Sequence, residues 1–257
     1  MTIIDAHVHI GRFMPPFREG SDDFVADLID SARSVGISRL VVTSLGNRGY
    51  THYPTPQEFR AANDHVLEAM ARFPDVLIGF CYVNPRYKEE SLGEIDRCIV
   101  AGGMKGIKLW ISQKASDSVV DPILARAAEL GVPVLQHAWY KTTGNYPDES
   151  TPADVAAMAR RHPTVNIIMA HLTGAGYRGV IDIAPYPNVH VDTSGGDPES
   201  TVVEFAVREL GAERVVFGSD APGRSFGVQL GKVLGAGMED ERRELILHGN
   251  VERMLGL

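Results

Sequence analysis

The stretch Ile3-Ile4-Asp5-Ala6-His7-Val8-His9 decides the fold. It opens β-branched and apolar, as a strand buried in a parallel sheet does, and it ends on two histidines two residues apart. Alternate side chains of a strand share a face, so His7 and His9 project the same way, about 7 Å apart along the strand. Seven similar runs follow at fairly even intervals: Leu40–Thr43, Leu77–Tyr82, Gly106–Trp110, Val132–His137, Val165–Ala170, Val189–Asp192 and Val215–Phe217. Helix-length amphipathic stretches separate them, which argues for βα units and a parallel sheet. Eight such units in 257 residues fit a (β/α)8 TIM barrel, an α/β fold of about this size. No linker or charge block divides the chain, so one domain over residues 1–257 is expected.

The helices carry their own punctuation. Thr55-Pro56-Gln57-Glu58 and Ser91-Leu92-Gly93-Glu94 read as capping boxes, and Asp121-Pro122 and Thr151-Pro152 as further helix starts. Gly36, Gly131 and Gly211 stand where C-terminal glycines belong. The loop Leu45–Pro56, rich in Gly, Tyr, His and Pro, follows the second strand and is a lid or binding candidate.

Composition excludes several classes. Hydrophobic residues make up 44% and charged residues 23%, an ordinary globular balance that excludes disorder and fibres. A net charge of −8 offers no field for phosphate backbones or anionic lipid, so neither nucleic acid nor a membrane is expected as a partner. Cys81 and Cys98 lack CxxC spacing and read as buried free thiols in a reducing compartment. With no basic leader before an apolar core and no spanning run, a cytoplasmic location is expected.

The chemistry gathers at strand ends. An isolated HxH is explained equally well by two hydrogen-bonded histidines. Here, however, His137 ends the fifth run, His171 follows the sixth and Asp220 follows the eighth. In a parallel barrel all C-terminal strand ends lie on one face, where catalytic groups of this fold collect. A purely structural role would bury three or more imidazoles together without using them.

These residues carry a resemblance that runs from end to end. With Asp5-Ala6-His7-Val8-His9, the segments PDVLIGFCYVNP (74–85), GIKLW (106–110), AHLTG (170–174), GSDAP (218–222) and GNVERMLGL (249–257) resemble the amidohydrolase superfamily, within it the aminocarboxymuconate-semialdehyde decarboxylase-like branch of amidohydrolase family 2. The resemblance implies a divalent metal, usually Zn2+, held by His7, His9, His137 and Asp220, with His171 near the substrate. Asp220 and His171 are then the catalytic acid–base pair, Asp220 taking a proton from metal-activated water and His171 donating one. Lys108 points inward on the fourth run. In binuclear members a lysine here is carbamylated and bridges two metals; the competing reading is an ordinary ion pair with Asp5 or Asp220 beside one ion or none, and one ion is favoured.

Substrate-binding candidates are Arg12, Trp110, Tyr140 and His52, with Tyr50, Arg48, Arg178 and Arg224 behind them and Asp192 as an orienting group. His65, His162, His190 and His248 read as structural. The leading expectation is hydrolysis of a small ester, lactone or amide. The alternative is a lyase: non-oxidative decarboxylation or hydration of a small carboxylated aromatic or unsaturated acid. A non-catalytic ligand-binding barrel is the third reading. Each takes a small-molecule ligand, and each is compatible with a homo-oligomer.

Overall fold

A computed structural model describes residues 2–11, 21–46, 48–196 and 199–257. Eight strands form one sheet in sequence order: β1 (Ile4–His9), β2 (Arg39–Thr43), β3 (Leu77–Tyr82), β4 (Gly106–Leu109), β5 (Val134–Gln136), β6 (Ile167–Met169), β7 (Val189–Asp192) and β8 (Val215–Val216). Every neighbouring pair is parallel. The last strand returns to the first through Ala6 N–H to Phe217 O at 2.8 Å, His9 N–H to Ala221 O at 2.7 Å and Asp220 N–H to His7 O at 2.7 Å. The chain is thus a (β/α)8 TIM barrel, and its eight strands are those read from the sequence, with ends that differ by no more than two residues.

Helices α1 (Phe24–Ser34), α2 (Pro56–Arg72), α3 (Lys88–Ile95), α4 (Asp121–Leu130), α5 (Pro152–Arg161), α6 (Leu172–Ile183), α7 (Val202–Leu210) and α8 (Phe226–Leu234) each follow the strand of the same number. The capping box at Thr55 is formed with Glu58, and Thr151 forms one with Asp154. The expected box at Ser91 is not: α3 begins three residues earlier, at Lys88. Ser91 Oγ instead donates to Asn84 O at 2.8 Å, and Glu94 is taken by Asn63 Nδ2 at 2.9 Å and by Arg97. Asp121 likewise makes no cap; it binds Arg161 and His162. Among the described residues no helix is long and apolar enough to cross a membrane.

Two apolar layers follow from the two-residue period of the strands. Ile4, Ala6, Val41, Ile78, Phe80, Leu135, Ile168 and Val216 fill the barrel interior, with Val251 and Leu255 of the final helix (Asn250–Leu255) below them. Val8, Val42, Ile107, Leu109, Val134, Ile167, Val191 and Val215 face outward into the helical ring. A register shift between Asp5 and Val8 breaks this alternation in β1. Ile4 and Ala6 point inward below it, while above it Val8 points outward and His7 and His9 turn into the barrel. An extra residue in a strand re-aims side chains in this way.

Candidate active site

At the C-terminal mouth six side chains meet. His7 Nε2 lies 3.1 Å from His9 Nε2, 3.8 Å from Asp220 Oδ1 and 3.0 Å from Lys108 Nζ. His9 Nε2 is 3.2 Å from Asp220 Oδ1, and His171 Nε2 is 3.1 Å from His137 Nδ1. One ligand atom each from His7, His171 and Asp220 lies within 4.8 Å of the others. The strand ends explain the convergence, with local help. His171 (φ 75°) and Asp220 (φ 62°) adopt left-handed backbone that turns their side chains back over the barrel. Glycine at 218 lets β8 pass close to its neighbours, since a Cβ there would sit 3.0 Å from Asp192 Cβ and 3.1 Å from His7 Cβ.

Hydrogen bonding fixes the imidazole tautomers. Asp192 is fully buried, and its Oδ2 accepts from His7 Nδ1 at 2.8 Å. Its Oδ1 accepts from His171 N–H at 3.0 Å, Ser194 N–H at 2.9 Å and the Ser194 hydroxyl. With its proton on Asp192, Ser194 Oγ is the acceptor for His171 Nδ1 at 2.9 Å. Glu149, also buried, accepts from His137 Nε2 at 2.8 Å, Lys141 Nζ at 2.8 Å and Tyr146 N–H at 3.0 Å. One nitrogen of each ring is thereby a donor, and a neutral imidazole then presents a lone pair on the other. His7 Nε2, His137 Nδ1 and His171 Nε2 therefore turn lone pairs toward one another and toward the Asp220 carboxylate.

Charge states agree. Burial pulls His9 down to about 4, against its hydrogen bond to Asp220, and burial also lowers His137 and drives His171 well below the usual range. Burial would raise Asp220, but its electrostatic interaction with His171, His7 and His9 and its hydrogen bond with His9 outweigh burial and hold the carboxyl well below its ordinary value. Asp192 is lowered likewise, burial being outweighed by His7, His171 and Ser194. Glu149 falls to about 2 because its bonds to His137, Lys141 and Tyr146 overcome burial.

Acceptors facing acceptors repel, and a cation among them removes the conflict. Donors that each bond one ion at about 2.1 Å sit roughly 3.0–3.4 Å apart, close to the separations here. The residues present therefore fit a divalent metal. The three-residue grouping shares His7 and Asp220 with the expected ligand set; it takes in His171, expected as a proton carrier, and does not take in His9 or His137.

Above these groups lies a cavity of about 370 Å³. Trp110 and His52 line it as expected, together with Tyr50, Trp139, Tyr146 and Arg224. The His52 ring meets Trp110 at 4.6 Å and Tyr146 at 5.2 Å between centroids. Tyr53 Oη donates to Asp148 Oδ2 at 2.9 Å, so the loop after β2 clasps the loop after β5 across the mouth. Tyr140 stands apart from this cavity: its hydroxyl donates to Asp182 at 2.5 Å and Arg178 stacks on its ring. Arg48 is exposed and does not line the cavity, and Arg12 falls outside the described residues. The sequence reading missed Glu149, Lys141, Tyr146, Trp139 and Ser194, which lie in loops without strand or helix period; only the Glu149 carboxylate, twelve residues after His137, offered a chemical signal.

The amidohydrolase family model matches residues 4–257. A 2-amino-3-carboxymuconate-6-semialdehyde decarboxylase of Dictyostelium discoideum is 22% identical over 236 residues, which cover 76% of this chain and 65% of that one, short of two thirds of the relative's length. A 2,6-dihydroxybenzoate decarboxylase from Rhizobium superposes with a TM-score of 0.79 at 18% identity, covering 99% of this chain and 98% of that one. A dihydroxybenzoic acid decarboxylase from Polaromonas sp. JS666, solved with manganese and 2-nitroresorcinol, superposes with a TM-score of 0.76 at 18% identity, covering 100% and 97%. These relatives correct the leading expectation from the sequence. Hydrolysis of an ester, lactone or amide gives way to the lyase alternative, because all three are decarboxylases. The Polaromonas enzyme holds manganese, so the similarity does not single out zinc.

Proposed function

Because the chain belongs to the amidohydrolase family, we propose that its barrel mouth is the active site of a metal-dependent lyase. It removes CO2 without oxidation from a small carboxylated aromatic or unsaturated acid. The observation that carries this is the meeting of three imidazole lone pairs with the Asp220 carboxylate beneath an aromatic-walled cavity. A divalent cation bound there supplies polarisation of a substrate oxygen and neutralisation of developing charge. His7, His137, His171 and Asp220 would hold it with His9 beside them; nitrogen and carboxylate donors together accept zinc or manganese, and one ion satisfies the set.

The chain's own residues do the rest. Asp192 orients the His7 ring directly and the His171 ring through Ser194, and Glu149 orients His137. The rings of Trp110, His52 and Tyr146 bound a slot for a planar acid and keep water from it. Asp220 is ionised in the free site, so the proton it passes on arrives with the substrate. A phenol or enol O–H gives its proton to Asp220, which returns it to the carbon bearing the carboxylate. The bond to CO2 then breaks, its electron pair goes back to the ring or chain, and Asp220 is left ionised as it began.

The test is CO2 release from hydroxybenzoates and carboxylated muconate-type acids by protein loaded with Mn2+ or Zn2+. Release is expected to stop on chelation, to return on reloading and to vanish in Asp220→Asn, with solvent deuterium appearing at the carbon that lost CO2. A protein that takes up neither metal and releases no CO2 from the panel defeats the reading.

A further inference from the structure

Three cations line the cavity, and they differ in what already neutralises them. Lys141 Nζ lies 2.8 Å from Glu149 Oε2. Arg224 is exposed at the rim, its Nε donating to Gly195 O at 2.9 Å. Lys108 sits at the floor, 1% exposed. Its Nζ has His7 Nε2 at 3.0 Å as its hydrogen-bond partner, and none of the ion pairs among the described residues includes it. An ammonium has three N–H donors, and a buried charge without a counter-ion is costly until something of opposite sign completes it.

We propose that the Lys108 ammonium is the seat for an anionic oxygen of the ligand, which makes it the residue that selects small planar monoanions, carboxylates or phenolates, over neutral molecules of the same shape. Neighbouring groups agree: Lys108 lines a cavity whose walls are aromatic, and the other two cations are paired or at the rim. Calling that ligand the substrate rests on the lyase reading; the seat itself does not. Carbamylation of Lys108 would turn the ammonium into an anion, and the same floor would then repel such a ligand.

The protein provides its own probe. Both of its tryptophans, Trp110 and Trp139, line this cavity, so intrinsic fluorescence reports occupancy. Benzoate and benzamide, nearly identical in shape, are titrated into metal-free and Mn2+-loaded protein. Wild type is expected to bind benzoate about tenfold or more tightly than benzamide, since a charge-assisted hydrogen bond is roughly twice as strong as a neutral one. Lys108→Met and Lys108→Gln are expected to lose that preference while benzamide affinity stays within about twofold, which also shows the cavity intact. A wild type without the preference overturns the seat whether or not the variants fold. So does a folded variant that keeps the preference, or an intact mass carrying a CO2 adduct on Lys108. Because equilibrium binding involves no turnover, an intact preference without CO2 release sinks the lyase reading alone. CO2 release with the preference retained in both variants sinks the seat alone.

Discussion

Two carboxylates that never need to touch a substrate set the direction of three imidazoles. Asp192 holds the His7 ring and, through the Ser194 hydroxyl, the His171 ring, and Glu149 holds His137. Partners of this kind fix ring orientation and raise ligand basicity, and losing one costs about 10–100-fold in metal affinity. Glu149→Gln and Asp192→Asn are therefore each expected to weaken Mn2+ binding by that order in a calorimetric titration. The amide variants keep shape while allowing the ring to present its proton to the metal, so an unchanged affinity would show that the carboxylates serve only packing. Asp192 was legible in the sequence because it ends a strand in register with its neighbours. Glu149 was not: it reaches His137 only through the closure of its own loop, in which Lys141 N–H and Tyr146 N–H are held by Asn145 and Glu149.

Elements show the same division between what a local pattern encodes and what packing decides. The box at Thr55 needs only Thr, Pro and Glu at fixed offsets, and α2 obeys it. Thr55→Ala is expected to cost about 1 kcal/mol, a fall of roughly 2–4 °C in Tm for a chain of this size, read by calorimetry. Ser91 carries the same signature, yet the buried Asn63 and Arg97 compete for Glu94 and win. The shift of register inside β1 was equally hidden, because a spacing of two along the sequence looks the same with or without an extra residue in the pairing. Strand β7 offers a pH test away from the site. Burial, with Arg214 and Arg253 nearby, pulls His190 down to about 4 from its ordinary 6.5. Between those values the unfolded chain binds a proton that the fold refuses. The stability His190 contributes is thus complete above pH 6.5 and is lost as pH falls toward 4, on the order of 3 kcal/mol across the window. Urea unfolding of His190→Gln at pH 7 and pH 4.5 should show a smaller difference between the two pH values than wild type; equal differences would remove His190 from the acid response.

On the scale of the whole barrel, the expected cation joins side chains from the first, sixth and last strands, which includes the seam where β8 returns to β1. Occupancy should therefore stabilise the fold by mass action, about 2.7 kcal/mol at a hundredfold excess over Kd. Thermal unfolding with and without Mn2+ measures this, and Asp220→Asn should show a smaller rise; a Tm indifferent to metal in wild type would show that no ion spans the seam. The architecture was legible because each strand buries one face against helices and one against the interior, and that demand writes itself into every run. The reaction was not, because proton transfer to carbon and attack on a carbonyl ask for the same histidines and the same aspartate.

The backbone at His171 and Asp220 has one more implication. Residues with a Cβ resist left-handed φ, and holding them there costs of order 1–3 kcal/mol each, a cost that glycine would not bear. Breeding this enzyme for heat tolerance alone would favour glycine at these two positions and discard the chemistry with the tension, so durability and turnover must be selected together.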